Sequence, residues 1–207
     1  MLGPPNPAPV PTRTSPWHSE PMRPSVAVVA ELVAGIVPGD PQEAADVRTV
    51  LSWLDSTDDV FRRVKPAVPD QHLVSYVVPT DPSGRMLLGE HLNAGLWLAP
   101  GGHVEVDEHP AVTAEREAAE ELGIDPGRRL SDRPVFLSST VTVGVDSGHT
   151  DVSLWFPIVL RSDEQLHVDR TEFRSVRWWS PEEIYAAPPA AFDPALGRFI
   201  AKHRAHH

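Results

Sequence analysis

Apolar positions repeat with two different periods along this chain, and the change of period divides it. Between residues 25 and 37, SVAVVAELVAGIV is apolar enough for a buried helix. In the next stretch, GDPQEAADVRTVLSWLDS, residues Val47, Val50, Leu51 and Leu54 recur at helical spacing. Asp40 is positioned as the N-cap of that helix, Pro41 as its first residue, and Glu43 completes a capping pattern. The two segments predict a small helical layer packed on a main domain. From His72 the pattern becomes strand-like: HLVSYVV and RMLLGEH flank the turn TDPSG, where Pro and Gly sit as a turn requires.

Three further runs, VFLSSTVTVGV (135–145), TDVSLWFPIVL (150–160) and FRSVRWWS (173–180), are rich in β-branched and aromatic residues and read as strands. In the second of them, alternation puts His149, Asp151 and Ser153 on one face and Val152, Leu154 and Phe156 on the other. SPEEIYAA reads as a short capped helix, and PALGRFIAKHRAHH as a closing helix with basic residues in its last turns. One more helix lies between the strands, bounded by Pro110 and Gly123. Helices on either side of strands, with no internal repeat, predict an α/β domain.

Composition refines this outline. Residues 1–25 carry eight prolines and few large apolar side chains, too little to offset the cost of ordering, and read as a disordered tail; Met22 is an alternative start. The organisation expected is thus a tail over 1–25, a helical extension over 26–65 and a main domain over 66–207. With 18 basic against 29 acidic residues, the net charge of −11 argues against a nucleic-acid partner, because such binding needs clustered Lys and Arg. An acidic protein that handles phosphates needs a divalent cation as intermediary. The absence of cysteine excludes disulfides, thiolate nucleophiles and Cys-ligated zinc. No apolar run approaches the length of a membrane span and no secretory leader is evident, so no membrane partner and a cytoplasmic location are expected.

The densest chemistry lies in GGHVEVDEHPAVTAEREAAEELGI, residues 101–124. Ala111, Ala114, Ala118 and Leu122 form a core-facing stripe, while Glu117, Glu120 and Glu121 fall at i, i+3 and i+4 on another face. Side-by-side carboxylates repel by a few tenths of a kcal/mol per pair (about 0.2–0.5) in water, and a divalent cation reverses that sign. Mg²⁺ suits such a group, because it takes oxygen ligands and leaves positions open for substrate phosphates. By itself EREAAEEL is usually a solvated helix surface.

The surrounding spacing is far more restrictive. Gly102, Glu108, Arg116-Glu117, Glu120-Glu121, Gly123 and Ile124 satisfy every fixed position of G-x5-E-x7-R-E-U-x-E-E-x-G-U, where U is bulky and aliphatic. The stretch resembles the Nudix box, the signature of the Nudix hydrolases, with one departure: Ala118 is small where the family usually has a larger aliphatic residue. WLAPGG upstream and VRWWSPEEI downstream also resemble family features, so the likeness covers roughly residues 70–186.

The resemblance implies an α/β/α sandwich around a mixed β-sheet, here with an N-terminal helical extension, and a box folded as loop-helix-loop. It implies metal ligation by Glu117, Glu120, Glu121 and the Gly101 carbonyl, with Arg116 and Glu108 bracing the loop. The cofactor implied is Mg²⁺, with Mn²⁺ as substitute. The implied reaction is hydrolysis of a nucleoside diphosphate linked to another moiety, a nucleoside triphosphate or a related nucleotide. Candidates for an additional base are Asp146, Asp151 and Glu172; His103 could contact phosphate, although a structural histidine is the commoner case, and Trp97, Trp178 and Trp179 could stack a base, although large aromatics on strands more often belong to the core. The region LSSTV beyond the box lacks both the proline of ADP-ribose hydrolases and the tyrosine of dinucleoside polyphosphate hydrolases, which disfavours those subclasses.

Alternatives weigh less. Isopentenyl diphosphate isomerase chemistry uses a cysteine that is absent here, and a calcium-binding loop would need alternating Asp/Asn ligands. A catalytically silent Nudix-like module that binds a nucleotide and regulates a partner need not keep every glutamate. The N-terminal helices suit a docking surface, a lid or a homodimer interface alike.

Overall fold

The computed structural model describes residues 22–65, 67–124, 130–144 and 147–205. The expected disordered tail lies almost wholly outside these residues. Five helices and seven strands are described: α1 (Pro24–Ala34), α2 (Pro41–Ser56), β1 (Gln71–Thr80), β2 (Met86–His91), β3 (Trp97–Leu98), β4 (Gly101–His103), α3 (Pro110–Leu122), β5 (Phe136–Val141), β6 (Thr150–Val159), β7 (Phe173–Trp179), α4 (Pro181–Ala186) and α5 (Leu196–Ala205). Among them no helix is long and apolar enough to cross a membrane.

The strands form one mixed sheet in the order β3-β2-β1-β6-β5, with β4 also on β1 and β7 on β2. β1 and β6 run parallel over their full lengths, from Gln71↔Thr150 to Thr80↔Val159, and the other pairs are antiparallel. β1 sits in the middle and is buried on both faces, which explains its nearly continuous apolar run. Its outer edge is shared: β2 pairs with it at Thr80, while β4 takes over at Val74–Tyr76. That exchange of partners carries the glycine pair Gly101-Gly102 onto the sheet.

Two cores flank the sheet. On one face, Leu73, Val77, Val152, Leu154 and Phe156 pack with Val26, Val29 and Val33 of α1, Val47, Val50 and Leu54 of α2, and Ala111, Ala114, Ala118 and Leu122 of α3. On the other, Val78, Phe136 and Trp155 pack with Ile184 of α4 and Leu196, Phe199 and Ile200 of α5. The helices from the first part of the chain thus share one continuous core with α3.

A charged clamp joins the ends of the chain around β5. Glu43, fully buried, accepts hydrogen bonds from the Gly39 N–H (2.6 Å), the Leu137 N–H of β5 (3.2 Å) and Lys202 Nζ of α5 (2.7 Å). Asp40 accepts the Glu43 N–H as expected of an N-cap, and its second oxygen binds Arg198 of α5 at 2.9 Å. The capping glutamate therefore also satisfies a backbone donor of the sheet edge.

Several boundaries differ from the pattern. α1 stops at Ala34 rather than Val37, its final carbonyls bonded by Gly35. β5 ends at Val141, four residues short of the expected run, and Gly144 follows at φ +98° with Asn93 against it. β3 and β4, of two and three residues, are too short to show any period.

Candidate active site

A cleft of about 1270 Å³ opens where β4 joins β1, walled by α3, the loop after β2, residues 172–173 and the segment before α5. It is larger than the roughly 300–1,000 Å³ of common small-molecule pockets. The box residues Gly101, Gly102, Arg116, Glu117, Glu120 and Glu121 all line it.

α3 holds these groups in place. It begins at Pro110, with the His109 ring accepting the Ala111 N–H, and ends at Gly123, whose φ of +65° is the left-handed conformation that glycine takes without strain. Ala118 is buried, so its small size bears on packing between α3 and the sheet. The loop before the helix is braced by Arg116, which donates to Glu108 from Nε (3.2 Å) and Nη2 (3.1 Å). Thr113 Oγ1 donates to Glu108 at 2.7 Å. Burial alone would push the Glu108 carboxyl up, but these donors hold it below the usual range.

The three glutamates do not share one environment. Glu120 is 59% exposed in its side chain and lies 3.4 Å from Arg116. Glu117 is mostly buried and receives Arg116 Nη1 at 2.7 Å; burial still pushes its carboxyl above the ordinary value. Glu121 is 6% exposed and accepts the Gly101 N–H at 2.8 Å. Burial first, then the Glu117 carboxylate, push its carboxyl up to about 8. The helical spacing grouped Glu121 with Glu117 and Glu120; the packing instead draws it under the glycine strand. The glycines make this approach feasible: a Cβ on Gly102 would run into the Glu117 carboxylate, and one on Gly101 into the Ser75 carbonyl oxygen.

This donor set fits a hard divalent cation. Glu117 and Glu121 are enclosed carboxyls whose ionisation is disfavoured by burial, at Glu121 also by Glu117 and at Glu117 also by Glu120, and a cation bound between them and the exposed Glu120 would remove that penalty. Glu117 Oε1 is turned to Arg116 and Glu121 Oε2 to the Gly101 N–H.

The remaining expectations divide. Asp151 and Glu172 line the cleft, as do His103 and His149; Asp146 lies outside the described residues. Glu172 is partly exposed, 3.5 Å from His91. Burial, then Arg62 and the neighbouring histidines, hold the His103 ring down to about 2, so it is neutral. The tryptophans pack within the protein, the more usual place for strand aromatics: Trp97 and Trp179 meet edge to face at 5.0 Å with Arg177 over Trp179, and Trp178 packs against the α1–α3 core. The aromatic residues lining the cleft are Tyr76, Phe173 and Phe192. Sequence reading also missed Arg62, Arg63 and Lys65, a basic run before β1 that lines the cleft in an acidic chain. It missed His72 too, hidden in an apolar strand.

A mixed sheet with a glycine strand feeding a glutamate-rich helix defines a class. The NUDIX domain profile matches residues 70–202, and the chain belongs to that family, the Nudix hydrolases, which are generally pyrophosphohydrolases. A MutT-like protein of Streptomyces ambofaciens is 31% identical over 119 residues, 56% of this chain and 69% of the relative. Among solved structures, a NUDIX-family hydrolase from Clostridium perfringens superposes with a TM-score of 0.51 at 22% identity, over 65% of this chain and 97% of its own. An Ap4A hydrolase from C. elegans gives 0.52 at 18% identity, over 65% and 96%. At these identities the structural likenesses establish the fold.

Proposed function

We propose that the chain is a metal-dependent pyrophosphohydrolase that cleaves the diphosphate bond of a nucleoside diphosphate linked to another moiety, with Mg²⁺ or Mn²⁺ held by Glu117, Glu120, Glu121 and the Gly101 carbonyl. The observation that carries this reading is the pair of enclosed carboxyls, Glu117 and Glu121, beside Gly101-Gly102 in a cleft large enough for a nucleotide. Bound there, the cation would neutralise the diphosphate, polarise its oxygens and acidify a water.

The chain's own groups supply the rest. Arg116 and Glu108 hold the ligand carboxylates at fixed positions, which matters because phosphoryl transfer depends mainly on positioning and charge stabilisation. Arg62 and Lys65 offer positive charge to phosphate oxygens at the cleft wall. Tyr76, half-buried at the cleft wall, offers a ring against which a base could rest, with Phe173 and Phe192 buried behind the lining. Of the two described candidates for an additional base, Glu172 is open to water, whereas Asp151 is enclosed by three histidines, so Glu172 takes the proton.

The test is product release from nucleoside triphosphates, oxidised and methylated nucleotides, nucleotide sugars, ADP-ribose and dinucleoside polyphosphates with Mg²⁺ or Mn²⁺. Metal-dependent turnover that collapses in Glu120→Gln is expected. A folded wild-type chain that binds nucleotide but turns over nothing in the panel would favour a regulatory module.

A further inference from the structure

Four side chains beyond the glutamate helix converge at the wall of the same cleft: His103 of β4, His149 just before β6 and Asp151 of β6 line it, and His72 of β1 is buried behind them. The parallel register sets His72 beside Asp151, and the antiparallel pairing sets His103 opposite Val74. One potential ligand atom from each lies within 4.8 Å of the other three. The Asp151 Oδ1 atom stands 3.2 Å from His72 Nε2, 3.3 Å from His149 Nε2 and 3.9 Å from His103 Nε2.

These contacts are not hydrogen bonds. Asp151 Oδ1, His72 Nε2 and His103 Nε2 are buried and have no hydrogen-bond partner, and His72 is fully buried as a residue. The other edge of the His72 ring explains the mismatch. Its Nδ1 lies 2.8 Å from the Pro69 carbonyl, which can only accept, so Nδ1 carries a proton and Nε2 is the nitrogen turned toward Asp151. His149 is arranged alike: Thr142 Oγ1 donates to the His149 carbonyl and lies 3.2 Å from its Nδ1. Both rings thus turn Nε2 toward the same carboxylate oxygen, and wherever those nitrogens are unprotonated the arrangement repels until a cation stands between them.

The spacing suits such a cation. Tetrahedral coordination with metal–nitrogen bonds of 2.0–2.1 Å puts neighbouring ligand atoms about 3.3 Å apart. Two of the three distances to Asp151 Oδ1 already match and the third, to His103, is 3.9 Å, while separations among the four ligand atoms of up to 4.8 Å would close by as much as about 1.5 Å on binding. Imidazole-rich sites select zinc and its first-row neighbours over Mg²⁺, and the Nδ1 partners of His72 and His149 are the outer hydrogen bonds that orient ligating rings.

We propose that His72, His103, His149 and Asp151 form a closed, four-coordinate site for a zinc-class transition metal, separate from the Mg²⁺ ligands of the helix. It would cross-link β1, β4 and β6 and so fix the strand that carries Gly101 and Gly102 beneath Glu117 and Glu121. The inference stands apart from the hydrolase reading, because it uses none of the box carboxylates.

The test uses the full chain stripped with chelator, loaded with Zn²⁺ and gel-filtered in excess Mg²⁺. About one equivalent of Zn²⁺ should be retained, with imidazole scattering in its X-ray absorption fine structure. Co²⁺ in its place should show the intense visible bands of tetrahedral coordination. Retention and the cobalt spectrum should be lost in His149→Gln and in Asp151→Asn and kept in Glu120→Gln. The proposal is overturned if the folded wild type retains no metal, if the absorption spectrum shows an oxygen-only shell, or if Glu120→Gln loses the ion. The wild-type absorption measurement decides the matter even where a histidine variant does not fold.

Discussion

Replacing Glu121 by glutamine should stabilise the metal-free protein at neutral pH while abolishing its proposed activity. In the folded chain burial, helped by Glu117, raises the Glu121 carboxyl from 4.5 to about 8. The folded state therefore keeps a proton that the unfolded chain releases, and stability falls as pH rises across that window, by about 1.4 kcal/mol per pH unit. The contribution is complete below the unfolded value and is lost progressively up to the folded one. At pH 7 the loss amounts to ~3 kcal/mol, a substantial part of a typical domain's stability. Glutamine cannot ionise, and its side-chain oxygen still accepts the Gly101 N–H. Denaturant unfolding of both proteins in EDTA, from about pH 5 to about pH 8, isolates this group because all other titrations are shared. The curves should nearly meet at the acid end and separate by ~2–3 kcal/mol at neutral pH, with the variant more stable. Added Mg²⁺ should then raise the wild type and leave the variant nearly unchanged. Parallel curves would refute the reasoning, since Glu121 would then ionise alike in both states.

Three other perturbations probe different parts of the structure. Glu43→Ala leaves Lys202 and the Leu137 N–H without their buried acceptor, and should cost about 3–5 kcal/mol in denaturant unfolding; a loss under about 1 kcal/mol would show that the clamp contributes little. Gly102→Ala places a Cβ against the Glu117 carboxylate, and should lower kcat/KM by tenfold or more, on the order of 1.4 kcal/mol, with a smaller change in unfolding midpoint. Arg116→Lys keeps the charge but cannot reach Glu108 through two nitrogens and Glu117 at once; metal affinity measured by Mn²⁺ titration should fall by about 10–100-fold, and an unchanged affinity would dismiss the bracing role.

Much of the local architecture follows from the residues themselves. The period of apolar positions, the Asp40-Pro41 cap, Pro110 and Gly123 each act within a turn or two of the chain, and the helices and most strands lie where these signals put them. The alternation in TDVSLWF likewise separated Asp151 and Ser153 from the core side of β6, because side chains alternate whatever the partner strand. The box spacing also marked out one family, since a helix fixes the relative placement of residues three and four apart.

Tertiary structure decided what depends on which strands meet. β3 and β4 exist only because β1 and β2 offer them unpaired edges, so no periodicity announces them. Glu121 and Glu120 are adjacent in sequence and look alike there; one is buried under Gly101 and the other faces water, because successive helix positions point about 100° apart and of the two only Glu121 meets β4. Whether Trp97, Trp178 and Trp179 stack a base or join the core was likewise open in the sequence, because strand aromatics face whichever side the packing covers; here they pack against the cores. The histidine cluster is the clearest case. His72, His103 and His149 are far apart in the chain, and only the parallel register of β1 on β6, with β4 laid against β1, sets their rings around Asp151. Local periodicity fixes which face a side chain takes, but convergence of distant side chains is a property of strand pairing, which the pattern of a single strand does not encode.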